Sequence, residues 1–252
     1  MKKFVRFSYN NQVKYGIVSA EGIFELKSNY LFSNEKNGLS YGLNDIKVLS
    51  PCEPSKIVCV GLNYLPDNKG MEIPETPLIF MKPSTSIIGP EEIIVKWPMV
   101  RELTYEGELA VVIGKEAHKI KVEDVEKYIF GYTVANDVTA RDLQKKDGQW
   151  TRAKSFNTFL PLGPVIVQNI DLKKTRIQTR LNNKICQDGR VQNMIFSIPY
   201  LISYISDIMT LLPGDVVLTG TPGGYGGLMN PGDKVEIEID GIGKLLNYVG
   251  ED

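Results

Sequence analysis

Histidine is almost missing from this chain: His118 is the only one among 252 residues. Sulfur ligands are scarce too, since Cys52, Cys59 and Cys186 are odd in number and scattered. That scarcity argues against a zinc site of the usual nitrogen and sulfur kind and against a disulfide framework. The cysteines read as small buried hydrophobes. Charge of neither sign prevails: 29 Lys and Arg face 30 Asp and Glu, a formal net charge of -1, which leaves no basic footprint for a nucleic acid. No apolar stretch reaches the roughly 18 residues of a membrane span. The opening Met-Lys-Lys-Phe-Val-Arg-Phe alternates with strand period into an Asn10-Asn11 turn instead of forming an apolar signal segment. A cytoplasmic protein with no membrane or nucleic-acid partner is the expectation.

Helical signals are few, and the rest of the punctuation marks strands. Residues 1–50 read as a small N-terminal β domain, with turns at Asn10-Asn11 and Ala20-Glu21-Gly22, a polar segment Ser33 to Gly38, and a return strand near Ile46 to Leu49. Pro51 and Pro54 mark the boundary to a second domain, residues 51–252. There Lys56 to Gly61 is a buried strand that opens into an irregular, lid-like stretch, Asn63 to Thr76. Further strands are expected at Leu78 to Met81, Ile93 to Lys96, Leu109 to Ile113, Tyr132 to Ala135, Val165 to Val167, Ile177 to Leu181, Val216 to Thr219 and Val235 to Ile239. One clear helix begins at Ser197 as N-cap, with Ile198, Leu201, Ile202, Ile205, Ile208 and Met209 on one face, and stops at Pro213-Gly214. A second, shorter one spans Val122 to Ile129. Mainly β with few helices, in an α+β arrangement, is the fold class these signals support.

Glu106 and Glu108 carry the chemistry of this pattern. They stand one residue apart just before the apolar run Leu109 to Ile113, so on an extended strand both look into one space. Two like charges beside a core ask for a metal, a shared proton or a solvent-facing strand end. If a metal, then carboxylates suit magnesium, manganese or calcium. Asp137, after an apolar strand and before a helical turn, is a further oxygen donor or a turn acid. His118, in Gly-Lys-Glu-Ala-His-Lys, reads as a solvent-facing turn residue.

Five motifs in register resemble the fumarylacetoacetate hydrolase family: Asn63-Tyr64, Glu106-x-Glu108, Asp137-x-x-Ala-Arg141-Asp-x-Gln144, Lys154-Ser-Phe with Pro161-Leu-Gly-Pro164, and Thr219-Gly-Thr-Pro-Gly223. The resemblance covers roughly residues 50–250 and implies a mixed β-roll catalytic domain behind a small N-terminal domain, usually as a homodimer. It implies that Glu106, Glu108 and Asp137 hold Mg2+ or Mn2+. Arg141, Gln144 and Lys154 then line the pocket as catalytic residues, and Thr221, with Gly220, Asn63 and Tyr64, contacts the substrate.

A 2-oxo acid fits such a site, because its carboxylate and keto oxygen can chelate one ion. In hydrolytic members a lid histidine and a glutamate three residues on activate water; here Asp67 and Gly70 stand in those places. The resemblance therefore implies a metal-dependent enzyme acting on a 2-oxo or 2-hydroxydienoic acid, of isomerase or decarboxylase type, like the 2-hydroxyhepta-2,4-diene-1,7-dioate isomerase members. Two alternatives stand beside it: an acylpyruvase-like hydrolase using a lid carboxylate, Asp67, Glu72 or Glu75, and a catalytically silent dicarboxylate- or metal-binding protein.

Overall fold

The computed structural model describes residues 1–65, 73–223 and 226–252. Most of them lie in strands, and the described residues hold three α-helices, Arg141–Asp147, Thr151–Lys154 and Ile198–Ile208. A 12-stranded sheet carries the main path Lys36–Tyr41, Gly22–Leu26, Gln12–Ser19, Lys3–Tyr9, Leu160–Val167, Ile129–Asn136, Gly107–Ile113, Val216–Leu218, Ile57–Gly61 and Leu78–Lys82. The first four of these come from the N-terminal 50 residues, and Lys3 and Phe4 pair with Val167 and Ile166, so the sheet runs through without interruption. A second sheet of five strands has the order Lys184–Arg190, Arg176–Leu181, Lys234–Ile239, Gly243–Glu251 and Ile93–Lys96.

The apolar run 109–113 is continuous because both of its faces are covered. Leu109, Val111 and Ile113 join one core with Ile177, Ile237 and Ile239 of the second sheet and with Leu201, Ile202 and Ile205 of the long helix. Ala110 and Val112 point the other way, into a core with Cys59, Leu218, Phe4 and Tyr30. Alternation along a strand produces this split. Each large aliphatic side chain buried in this way contributes roughly 1.5–3 kcal/mol relative to exposure.

The long helix starts as its sequence indicates: the Ser197 hydroxyl accepts from the Tyr200 N–H at 3.4 Å, and Pro199 occupies the first turn, where its missing N–H costs nothing. It ends at Ile208, short of Pro213. Ser206, not Ile208, continues the buried stripe, because its hydroxyl bonds the Ile120 N–H and the Ser203 carbonyl while Ile208 is exposed. The expected helix at Val122 to Ile129 is a 3-10 turn, Val122–Lys127, and Ile129 already opens a strand. Only Val125 of that turn is buried, so nothing extends it into an α-helix.

Candidate metal and substrate site

Glu106 and Glu108 have the parity of Ala110 and Val112 and continue that face of the strand. Gly107 between them has the opposite parity, and a Cβ there would lie 2.5 Å from Thr179 Oγ1 and 2.6 Å from Gln187 Oε1. The Glu-Gly-Glu pattern thus records a strand pressed against the second sheet on one side and lined with acid on the other. Asp137 follows the neighbouring strand Ile129–Asn136, in which Asn136 pairs with Gly107, and its N–H donates to the Glu106 carbonyl at 2.9 Å. The Asn136 side chain accepts the Glu106 N–H at 3.0 Å. Pairing thereby gathers the three acids: carboxylate oxygens of Glu106, Glu108 and Asp137 lie within 4.8 Å of one another, and all three residues are buried.

Three cations enter the same space. Lys154, 1% exposed, bridges Glu106 at 2.9 Å and Asp137 at 2.5 Å. Arg141 donates to Glu106 and, at 2.5 Å, to Gln144. Lys82, on the strand Leu78–Lys82, donates to Asp137 at 2.6 Å and to the Val138 carbonyl at 3.1 Å. Sequence reasoning missed Lys82. Its signal was a lone cation closing the apolar strand Leu-Ile-Phe-Met-Lys just before Pro83, where alternation puts it on the face of Phe80. The Phe80 ring in turn sits beneath the Lys154 ammonium, 5.0 Å from its centroid, and edge-on to Trp150.

The charges are unevenly shared. Burial works against ionised Asp137, but Lys154 and Lys82 outweigh it and hold the carboxyl below its ordinary value. Burial would likewise lower Lys154, yet Asp137 and Glu106 keep its ammonium protonated and its pKa raised. For Lys82 burial wins: among the described residues Asp137 is its single carboxylate partner, Lys154 repels it, and its pKa falls. Among the described residues Glu108 is bonded to no cation. Burial, then the charges of Asp137 and Glu106, drive it well above the ordinary carboxyl range. Its bonded donor is the Gly220 N–H, at 2.7 Å from Oε2.

Gly220 can donate because of its backbone: φ is +96°, and a Cβ would meet the Asn63 Cβ at 2.9 Å. No other residue type adopts this conformation in this space at comparable cost. Asn63 fixes the turn, its Nδ2 donating to the Thr219 carbonyl at 2.8 Å and the Phe196 carbonyl at 3.2 Å while Oδ1 accepts the Phe196 N–H at 2.8 Å. Its amide is thus spent on the scaffold. Tyr64 is buried, and its hydroxyl completes no hydrogen bond of good geometry among the described residues. The Thr221 hydroxyl donates to the Gly107 carbonyl at 2.9 Å and accepts from Gln187 Nε2 at 2.6 Å. Of the lid acids, Asp67 and Glu72 lie outside the described residues, and Glu75 is exposed. His118 is exposed, with Thr210 Oγ1 at 3.5 Å from its Nδ1.

Residues 56–250 match the fumarylacetoacetate (FAA) hydrolase C-terminal family, and residues 2–51 match the Rv2993c-like, N-terminal family. The chain belongs to the fumarylacetoacetate hydrolase family. It is 41% identical over 234 residues to oxaloacetate tautomerase YisK of Bacillus subtilis, an alignment covering 86% of this chain and 78% of the relative. It superposes on the crystal structure of 2-hydroxyhepta-2,4-diene-1,7-dioate isomerase from Mycobacterium marinum with a TM-score of 0.92 and 38% identity, covering 100% of this chain and 99% of that one. Maleylpyruvate hydrolase from Sphingobium sp. SYK-6, in complex with manganese(II) ion and pyruvate, gives a TM-score of 0.82 at 25% identity, with 99% of each chain covered.

The donor set fits a divalent cation. Three convergent buried carboxylates supply hard oxygen ligands within reach of one ion, and Glu108, which burial and two neighbouring acids oppose as an anion, is the acid most relieved by it.

Proposed function

We propose that this protein is a divalent-metal-dependent isomerase of 2-oxo acids, with keto–enol tautomerisation of oxaloacetate as its reaction. The observation that carries this reading is Lys154, a buried ammonium held charged between Glu106 and Asp137, in a chain whose sole imidazole stands on an exposed turn. The YisK relative, an oxaloacetate tautomerase by name, supports the choice of substrate.

Tautomerisation moves one proton between C3 and the keto oxygen and consumes nothing, so no water molecule has to be activated. Mg2+ or Mn2+ held by Glu106, Glu108 and Asp137 would supply Lewis acidity towards the carboxylate and keto oxygen of the substrate. Lys154, its charge fixed by two carboxylates, offsets negative charge that develops on that oxygen. Phe80 walls the ammonium on one side, and Trp150 packs edge-on against Phe80. Arg141 holds Glu106 on one arm of its fork and the Gln144 carbonyl on the other, which leaves the Gln144 Nε2 group as a neutral donor.

The test follows enol-oxaloacetate with Mn2+ present, comparing wild type with Lys154→Met. Wild type should speed interconversion well beyond Mn2+ alone, and the variant should lose about 10²–10³-fold. A wild-type rate equal to the metal-only blank would reject the reading. Cleavage of an acylpyruvate is the second reading, favoured by the shared fold of the maleylpyruvate hydrolase. Asp67→Asn separates the two, since hydrolysis through a lid carboxylate should collapse while tautomerisation largely persists.

A further inference from the structure

The Lys184–Arg190 strand forms the far edge of the second sheet and carries one buried polar side chain, Gln187, 1% exposed. All four hydrogen-bonding positions of its carboxamide are used. Oε1 accepts from the Gly107 N–H at 3.1 Å and from the Thr179 hydroxyl at 2.5 Å, and Nε2 donates to Thr221 Oγ1 at 2.6 Å and to the Pro222 carbonyl at 2.9 Å. The Thr221 hydroxyl passes the interaction on, donating to the Gly107 carbonyl at 2.9 Å. Gln187 therefore grips both peptide groups that join Glu106 to Glu108, one directly and one through Thr221. It also grips the turn whose Gly220 N–H donates to Glu108.

The amide can face only one way. Reversed, it would set its NH2 against the Gly107 N–H and its carbonyl against the Pro222 carbonyl. Because Nε2 donates into Thr221, the threonine proton is committed to Gly107, and its hydroxyl acts as a link in the chain. The approach is close as well as polar: a Cβ on Gly189 would fall 2.3 Å from the Pro222 Cβ, so this strand edge and the Thr221–Pro222 turn are packed without spare room.

We propose that Gln187 is a positioning residue for the metal site: from the second sheet it sets the direction of the Glu106 and Glu108 carboxylates and ties them to the Thr221–Pro222 turn. The proposal deepens the reading of the site given above and rests on it. Groups that orient ligands without touching the ion typically change metal affinity by about 10–100-fold when removed.

Gln187→Met keeps the length of the side chain and deletes all four hydrogen bonds. Mn2+ affinity measured by calorimetry on the folded variant should weaken by about 10–100-fold, with kcat falling more than KM rises. A folded variant that binds Mn2+ within about twofold of wild type would overturn the proposal. Should Gln187→Met not fold, Thr221→Val and Thr221→Ser decide. The valine, lacking the link, should weaken Mn2+ binding, and the serine should restore it; equal affinity in both would overturn the proposal. Wild-type Mn2+ binding without turnover of any oxo acid would reject the proposed reaction and leave this test intact. Absence of Mn2+ binding by wild type would reject the site and the proposal together.

Discussion

Two buried carboxylates flank the three-residue strand Val216–Leu218, and their surroundings are opposite. Asp215 precedes the strand and accepts five hydrogen bonds, from the Ser55 N–H and hydroxyl, the Lys56 N–H and ammonium, and the Leu212 N–H. Glu108 lies beside the far end, where Gly220 follows the strand, with one backbone donor and two other acids around it. A carboxylate saturated with donors is content as a structural anchor; one that is buried and short of donors is poised for a ligand that brings positive charge.

The contrast breaks most sharply under paired substitution. Glu108→Gln should abolish Mn2+-dependent turnover, by at least about 100-fold, while leaving the metal-free melting temperature unchanged or raised, because burial and two neighbouring acids already favour the neutral form of this side chain. Asp215→Asn should do the reverse. It leaves the Lys56 ammonium unpaired and should cost about 3–5 kcal/mol, or roughly 6–20 °C in melting temperature, with Mn2+ affinity of the folded protein preserved. Thermal melts and Mn2+ titrations of both variants check the pair.

Lys82→Met sharpens the comparison at an intermediate scale. Without this cation Asp137 loses its Oδ1 partner, so the metal-free protein should be destabilised more than the metal-loaded one. The rise in melting temperature on adding Mn2+ should therefore exceed that of wild type, and an identical rise would show that Lys82 does not share the charge of the site. The smallest effect belongs to a third acid, Glu25 in the N-terminal meander. Its burial favours the neutral form, but Lys14 at 2.9 Å and Tyr41 at 2.5 Å outweigh that and hold its pKa below the ordinary value. A depressed folded-state pKa means stability present above the ordinary carboxyl pKa and lost as pH falls through the folded value. Lys14→Met should remove less than about 1 kcal/mol at neutral pH, and the difference from wild type should vanish in acid. Denaturant melts across pH would show it.

The acids were legible in the sequence, and Arg141 and Lys154 through the family resemblance, while Lys82 and Gln187 stayed hidden. Spacing alone brought Glu106 and Glu108 to one face, because alternation along a strand is local. Lys82 and Gln187 were not legible, since each reaches the site across a long stretch of chain, Lys82 to Asp137, 55 residues on, and Gln187 to Gly107, 80 residues back. The strand Gly243–Glu251 was hidden for a related reason: Asn247 breaks its apolar alternation, yet it is buried, its amide donating to the Gly89 and Glu92 carbonyls at 2.9 Å each. A polar residue with its partners supplied from elsewhere looks from its own segment like a surface position. Thr221 was legible as a member of its turn, whereas the direction of its hydroxyl depended on Gln187 in another sheet.

If Glu106, Glu108 and Asp137 together hold a divalent ion at the substrate head, the ion itself can be located. A crystal soaked with Mn2+ and oxalate, recorded at a wavelength that makes manganese scatter anomalously, tests it most directly. One anomalous peak is expected about 2.1 Å from an oxygen of each of the three carboxylates, with oxalate filling further positions on the same ion. A peak at any other group of residues, or no peak while Lys154 still bridges Glu106 and Asp137, would contradict it.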